Sequence, residues 1–345
     1  MPQRSAQRYE RYLFDASPWC QNMTQRDLAD LLGIEKSTLE SLIDHKDEWI
    51  RLRTVPINKK LRDLAYPFGR LRQVHERIKY HMDKIKQPDY LQSPRKGHSQ
   101  RDNALVHTGQ NQFLSLDIRQ FYPSTTSEHV FRWAHHIAGL RDDVSGMITH
   151  LVTVDGKISF GSPLSPVLTT LVHRHMFDAI YAACQRRGLK MSLWVDDLTV
   201  SGRFVPGELV KEIRSVIAGN GFKSHKIQYR TGAIPVIVTG VPIVDGAIAA
   251  PRALHDRLRD GYRELAACHG DADRSHQIDR LLSNLGTYRY LVGPSSAAGR
   301  QAAGRMNALR QRRAKLNPIY TTRPTVAVIR ENGGAGSEDT APFDA

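Results

Sequence analysis

Cysteine is scarce in this chain of 345 residues: Cys20, Cys184 and Cys268 are the only three. They are far apart and odd in number, and no CxxC pair occurs. That pattern indicates neither a disulfide framework nor a zinc site, and a reducing cytoplasm is the natural setting. Long apolar runs are missing too. None approaches the roughly 20 residues of a membrane span, and Met1-Pro2-Gln3-Arg4 opens the chain without the apolar core of a signal peptide. A cytoplasmic protein with no membrane partner is expected. Acidic residues are in deficit, 35 Asp and Glu against 49 Lys and Arg, a formal net charge of +14. An excess of that size suits a phosphate-backbone partner better than a small metabolite. A generically basic surface is the plainer alternative.

What is present reads as a folded protein with two or three lobes, 40% hydrophobic and 24% charged. No internal repeat is visible. Residues 1–50 read as a helical region. Thr24 is placed to cap a helix that Gly33 ends, and Ser37-Thr38-Leu39-Glu40 has the form of a capping box for a second helix. The pair resembles a helix-turn-helix, although most helical pairs of this kind never touch DNA. Residues 51–110 carry a one-signed run of Lys and Arg, with Leu71, Val74 and Ile78 at helical spacing beneath it.

Residues 111–248 alternate strand-like and helix-like runs, with a further helical segment near 128–150. Gln112 to Leu116 reads as a strand ending at Asp117. Pro166 to Ala183 carries one helical apolar stripe. Met191 to Ser201 reads as two short strands around a turn, Glu208 to Ala218 as a helix, and Val236 to Val244 as a strand pair. Residues 249–320 read as helical, with a basic cluster near the end. The remainder, 321–345, is rich in Gly, Ser and acids and has the composition of a disordered tail. This order predicts an α+β fold with helices on one face of a sheet.

Three acids carry the chemistry. Ser192-Leu193-Trp194-Val195-Asp196-Asp197-Leu198-Thr199-Val200-Ser201 describes a tight hairpin with two carboxylates at its tip. By itself this is also how a solvated Asp-rich turn reads. Asp117, however, follows an apolar strand and sits between Leu116 and Ile118. A half-buried carboxylate there needs a partner, and a cation is the usual one. Three carboxylates from two strand ends suit a pair of Mg²⁺ ions about 3.5–4 Å apart, with Mn²⁺ as a substitute.

Asp117 with Phe121-Tyr122, Gly161-Ser162-Pro163-Leu164-Ser165-Pro166, and the Asp196-Asp197 hairpin resemble, in order and spacing, the palm motifs of reverse transcriptases. The resemblance runs from about residue 55 to about residue 295. Asn103-Ala104-Leu105-Val106-His107 resembles the NAxxH element of retron reverse transcriptases, and Val238-Thr239-Gly240 resembles their VTG element. Tyr90-Leu91 and Arg95-Lys96-Gly97 are similar to the retron pattern as well.

The resemblance implies a right-hand architecture of fingers (51–110), palm (111–248) and thumb (249–320). It also implies RNA-directed DNA synthesis from dNTPs, making a branched RNA–DNA hybrid from a cognate non-coding RNA. An effector, toxin-like protein and a role in anti-phage defence belong to the same picture. By resemblance Asp117, Asp196 and Asp197 are the metal ligands, with Ile118 in the same set. Tyr122 matches the aromatic gate against a ribose 2′-hydroxyl. Lys60 and Arg62 lie where the fingers meet the triphosphate, although Lys59 or Arg70 serve equally well. Phe160, Gly161 and Ser162 line the nucleotide. Arg95, Lys96, Asn103, His107, Val238, Thr239 and Gly240 are placed on the RNA, with Arg310, Arg312 and Arg313 tracking the duplex. For Asn103 and His107 a hydrogen-bonding role inside the fold is an equal alternative.

Two departures stand out. Trp194-Val195-Asp196-Asp197 replaces the usual Tyr-Ala-Asp-Asp, and Ser159-Phe160-Gly161 replaces Pro-Gln-Gly, so Phe160 packs where a Gln would hydrogen-bond. The competing readings are another bacterial defence reverse transcriptase and a non-enzymatic nucleic-acid-binding regulator built on residues 24–44. A group II intron-like enzyme is disfavoured, because no maturase or endonuclease extension is expected after residue 316.

Overall fold

The computed structural model describes residues 11–57, 60–232 and 234–316, and the expected tail at 321–345 lies outside them. The chain divides into two compact units, through Pro251 and from Arg252.

In the first unit, α1 (Gln25–Leu32) starts at Thr24 in a capping box shared with Asp27 and ends at left-handed Gly33. The second helix, α2 (Lys36–Asp44), starts after Glu35 with no side-chain cap, so the Ser37–Glu40 pattern falls inside the helix and does not begin it. The basic run opens with a hairpin that periodicity did not reveal, β1 (Ile50–Ile57) on β2 (Lys60–Pro67). Then α3 (Gly69–Asp83) buries Leu71, Val74 and Ile78, the face read from spacing. Leu28, Leu32, Leu39 and Leu42 share one core with that face and with Val144, Ile148 and Leu151. The helical pair is therefore part of a larger helical core.

After β3 (Leu91–Ser93), α4 (Gln100–Leu105) leads into β4 (Gln112–Ile118). The chain continues through α5 (Phe121–Ser124), α6 (Ser127–Arg132), a π-helical turn at Trp133–Ile137, and α7 (Asp142–Val152). The single helix read over 166–183 is two, α8 (Ser165–Val172) and α9 (Arg174–Gln185). They break at His173, whose backbone leaves the helical region at φ −104°, ψ 19°. Its ring is held by the Thr125 hydroxyl at 3.0 Å and packs against Phe121 and Phe222, contacts that a straight helix does not supply.

The hairpin β5 (Lys190–Trp194) and β6 (Asp197–Gly202) follows, then α10 (Gly207–Gly219) and β7 (Ser224–Thr231). These strands form a five-stranded sheet in the order β3-β5-β6-β4-β7. Leu114, Leu116, Leu193, Leu198 and Val200 from the sheet bury against Phe177 and Ile180 of α9 and Leu209 and Ile213 of α10. A separate three-stranded sheet comprises β8 (Val236–Val238), β9 (Val241–Val244) and β10 (Ala247–Ile248).

The second unit is helical: α11 (Arg252–Ala267), α12 (Asp271–Val292) and α13 (Ala297–Leu316). Leu254, Leu258, Ile278, Leu281, Leu285 and Leu309 are buried in it. A Cβ on Gly261 would stand 2.9 Å from the Leu281 side chain, so glycine is what lets α11 and α12 approach. Among the described residues no helix is long and apolar enough to cross a membrane.

Candidate active site

Antiparallel pairing sets Asp117, near the end of β4, directly opposite Asp197, the first residue of β6. Opposed residues in such a ladder lie about 4.5–5.5 Å apart at Cα. Asp196 is in the two-residue turn between β5 and β6, and its carbonyl accepts from the Ile118 N–H at 3.1 Å. Three acids from two distant segments therefore share one end of the sheet. The turn is strained, because Val195 sits at φ +60°, a left-handed conformation that β-branched residues avoid. Neighbouring β3 buttresses it: Val195 N–H donates to Ser93 O at 2.9 Å and Leu193 N–H to Tyr90 O at 2.8 Å.

Charge is concentrated here. Asp117 is only 9% exposed. Burial and then the charges of Asp117 and Asp197 push the Asp196 carboxyl up to about 7. Asp197 is raised by burial and the Asp117 charge, although its side chain reaches solvent. Among the described residues, a cationic partner comes from β7. A bulge between the registers Ser115↔Gln228 and Asp117↔His225 adds a residue to that strand, and left-handed Lys226 at φ +52° sends its ammonium onto Asp117 Oδ2. The His225 ring lies 3.7 Å from the same oxygen. Contact with Asp117 raises the Lys226 pKa. The sequence reading missed both residues, since nothing in their spacing marks a bulge.

Among the described residues no three of His, Cys, Asp and Glu are gathered tightly enough to ligate one ion as they stand. The donor chemistry nevertheless fits a hard divalent cation. Three carboxylates converge against one lysine, and burial and then mutual repulsion raise two of them.

Beside the acids is an aromatic group. Tyr122 meets Phe160 edge-on, with centroids 5.2 Å apart, and the Arg62 guanidinium stands 4.9 Å from the centre of the Phe160 ring. Burial and then the Asp196 charge raise the Tyr122 phenol. Gly161, at φ +106°, lies against β2, where a Cβ would meet Ala65 O at 3.0 Å. Ser162 is engaged inside the protein. His75 is buried and its pKa falls to about 4 through desolvation, so the ring is neutral. Its Nε2 lies 2.9 Å from Leu151 O and must carry the proton, which leaves Nδ1 to accept the Ser162 hydroxyl at 2.7 Å. The Ser162 oxygen accepts from Leu164 N–H at 3.2 Å. Ser162 thus holds its loop, and its hydroxyl hydrogen is not free for a nucleotide. For Lys60 the described residues give only the backbone, on β2, and Lys59 lies outside them.

The two retron-like elements meet. Asn103 on α4 donates to the Thr239 hydroxyl at 3.1 Å, and Thr239-Gly240 is the tight turn joining β8 to β9, left-handed at both residues. His107 is 0% exposed, with one ring nitrogen 2.6 Å from Ser201 Oγ on β6 and the other 2.7 Å from Ser192 Oγ on β5. The ring ties β5 to β6 from inside the fold. Val238 is buried and Gly240 exposed. Arg95 points inward to the carbonyls of Pro88 and Leu91, at 3.3 and 3.4 Å, while Lys96 is exposed. In the second unit Arg310 and Arg312 are exposed on α13, and Arg313 pairs with Asp279 at 2.9 Å.

No family model matches the sequence. Curated relatives are retron reverse transcriptases. The Se72 enzyme of Salmonella heidelberg is 30% identical over 177 residues, 50% of this chain and 47% of that one. The Ec86 enzyme of Escherichia coli is 28% identical over 181 residues, 51% and 56% of the two chains. The Mx65 enzyme of Myxococcus xanthus is 25% identical over 307 residues, 79% and 69%. The matches to the first two span about half the length of those relatives. Solved structures matched include apo telomerase from Candida tropicalis, with a TM-score of 0.47 and 10% identity over 78% of this chain and 57% of that one. Telomerase from Candida albicans with a fragment of telomeric RNA gives 0.41 and 9%, over 78% and 61%. The chain is thus similar in sequence to retron reverse transcriptases and α+β in fold.

Proposed function

We propose that the chain is an RNA-directed DNA polymerase of retron type, with Asp117, Asp196 and Asp197 as its catalytic carboxylates. The observation that carries this reading is the meeting of three acids, from two distant segments, at one sheet end where their charges are not balanced. The three side chains would hold two Mg²⁺ ions, which when bound supply activation of the attacking hydroxyl and stabilisation of the leaving pyrophosphate. The chain's own contribution is placement. The β4–β6 ladder fixes the acids, the β3 contacts hold the strained turn, and Tyr122 walls the side where a sugar would enter. In this reading residues 51–110 act as fingers, 111–248 as palm and 249–320 as thumb, with exposed Arg310 and Arg312 on the duplex. By likeness to the retron enzymes, the template is a cognate non-coding RNA, the substrates are dNTPs, and the product is a branched RNA–DNA hybrid. The protein acts in the cytoplasm with an effector protein in anti-phage defence.

Purified protein given a primed RNA template, dNTPs and Mg²⁺ extends the primer. Asp117→Asn and Asp196→Asn each reduce extension by about a hundredfold or more, because transition-state charge stabilisation is lost. Extension by either variant at the parent's rate, or none by the parent protein, would refute the polymerase reading. Sequencing the nucleic acid that copurifies tests the subtype. A short DNA joined to RNA through a 2′,5′ branch supports retron synthesis, and unselected cellular RNA speaks against it.

A further inference from the structure

The aromatic ring of Phe160 touches both Arg62 and Tyr122, and its backbone is held by other partners. Its carbonyl accepts from Ala65 N–H at 2.8 Å, a bridge that ties the loop to β2 beside Leu64. The following Gly161 is pressed against the same strand. One residue further on, Ser162 is locked through His75 to Leu151 on α7. A ring fixed on both sides of its backbone offers one face to the Arg62 guanidinium at 4.9 Å, while the Tyr122 ring stands edge-on to it. Arg62 has no ion pair with any carboxylate among the described residues. A flexible arginine on a hairpin strand would otherwise sample many rotamers, and ordering it costs entropy.

We propose that Phe160 is a positioning residue: it holds Arg62 by a cation–π contact so that the guanidinium is ready for the triphosphate of an incoming nucleotide. The inference rests on the polymerase reading and adds the means by which the nucleotide site is organised. Arginine binds phosphate through its planar fork while a ring stacks on its face, so one guanidinium can serve both partners. The contact lies beside Tyr122, and the Tyr122 phenol is close enough to respond to both the Asp196 and the Arg62 charges. Phe160 needs no hydrogen bond of its own to a nucleotide for this role.

The test is a double-mutant cycle in steady-state primer extension. Phe160→Leu removes the ring face and keeps an apolar side chain, and it raises the KM for dNTP about five- to tenfold, the scale of a partly desolvated cation–π contact. Most of the loss in kcat/KM appears in KM. Phe160→Trp restores KM to within about twofold, because a flat ring is back. In the Arg62→Ala background, Phe160→Leu adds no further rise in KM, since the residue acts through Arg62. Additive effects in the cycle overturn the proposal. So does a fall in kcat with KM unchanged, or a loss of melting temperature that tracks the loss of activity, since either marks a packing role alone. Absence of extension by the parent protein, or extension surviving Asp196→Asn, is a different result: it removes the polymerase reading itself.

Discussion

The β5–β6 hairpin contains two polar groupings with opposite electrostatic character. Within the hairpin, Ser192 and Ser201 enclose His107, and every polar atom of that trio has a partner. At its turn, Asp196 and Asp197 face Asp117, and Lys226 is the cation paired with that cluster. The first is a buried polar network that is complete within the protein, and such networks fix strand pairing. The second is unfavourable as it stands and becomes favourable only when positive charge arrives. Side by side they show how to separate structural polar residues from functional ones. Both motifs were legible as unusual residues, and what differs is whether the fold satisfies them.

The comparison breaks most visibly at His107. Replacing it by Leu leaves two buried serine hydroxyls without their partner and is expected to destabilise the protein by about 3 kcal/mol, read from denaturant midpoints. Stability within about 0.5 kcal/mol of the parent would mean the network is not structural. The opposite sign is expected at the turn. In EDTA at pH 8, Asp196→Asn stabilises the protein by about 1–2 kcal/mol while abolishing primer extension. The sign follows from the raised folded pKa of about 7, above the ordinary carboxylate value. The folded state holds the proton more tightly, so stability declines as pH climbs from about 4 to about 7, and the penalty is fully present above that. At pH 4 the variant and the parent should match. A variant no more stable at pH 8 would show that the acids are not crowded.

The acid limb tests the same comparison. Burial lowers His107 and His173 to about 3 and His75 to about 4. These groups are neutral when folded and titrate near 6.5 when unfolded, so they contribute stability above pH 6.5 that is lost as pH falls toward 4. Each accounts for about 1.4 kcal/mol per pH unit in that window. In His107→Leu the slope of stability between pH 4 and 6 should drop by one proton. An unchanged slope would mean that His107 titrates normally and is not sealed in the sheet.

Much of this was readable in one dimension. Alternation and apolar runs located β4, the β5–β6 hairpin and α10, because those elements bury one face or all of their length against the core. The three acids were legible because each breaks or ends an apolar strand. The β1–β2 hairpin was not, since its exposed Leu52 and Leu61 and its many charges leave no periodic face. The break at His173 was hidden because it depends on Thr125, Phe121 and Phe222, contacts made from far along the chain.

By itself, then, the sequence determined that carboxylates stand beside apolar strands, because hydrophobic periodicity makes a misplaced polar group conspicuous. Phe160, Asn103 and His107 stood out only through the family resemblance. Only the tertiary structure decided which of them are answered from within. A β-bulge sends Lys226 to Asp117, two serines enclose His107, and β2 fixes the ring that meets Arg62. Those outcomes depend on partners brought together by strand register and packing, and no spacing along the chain encodes them.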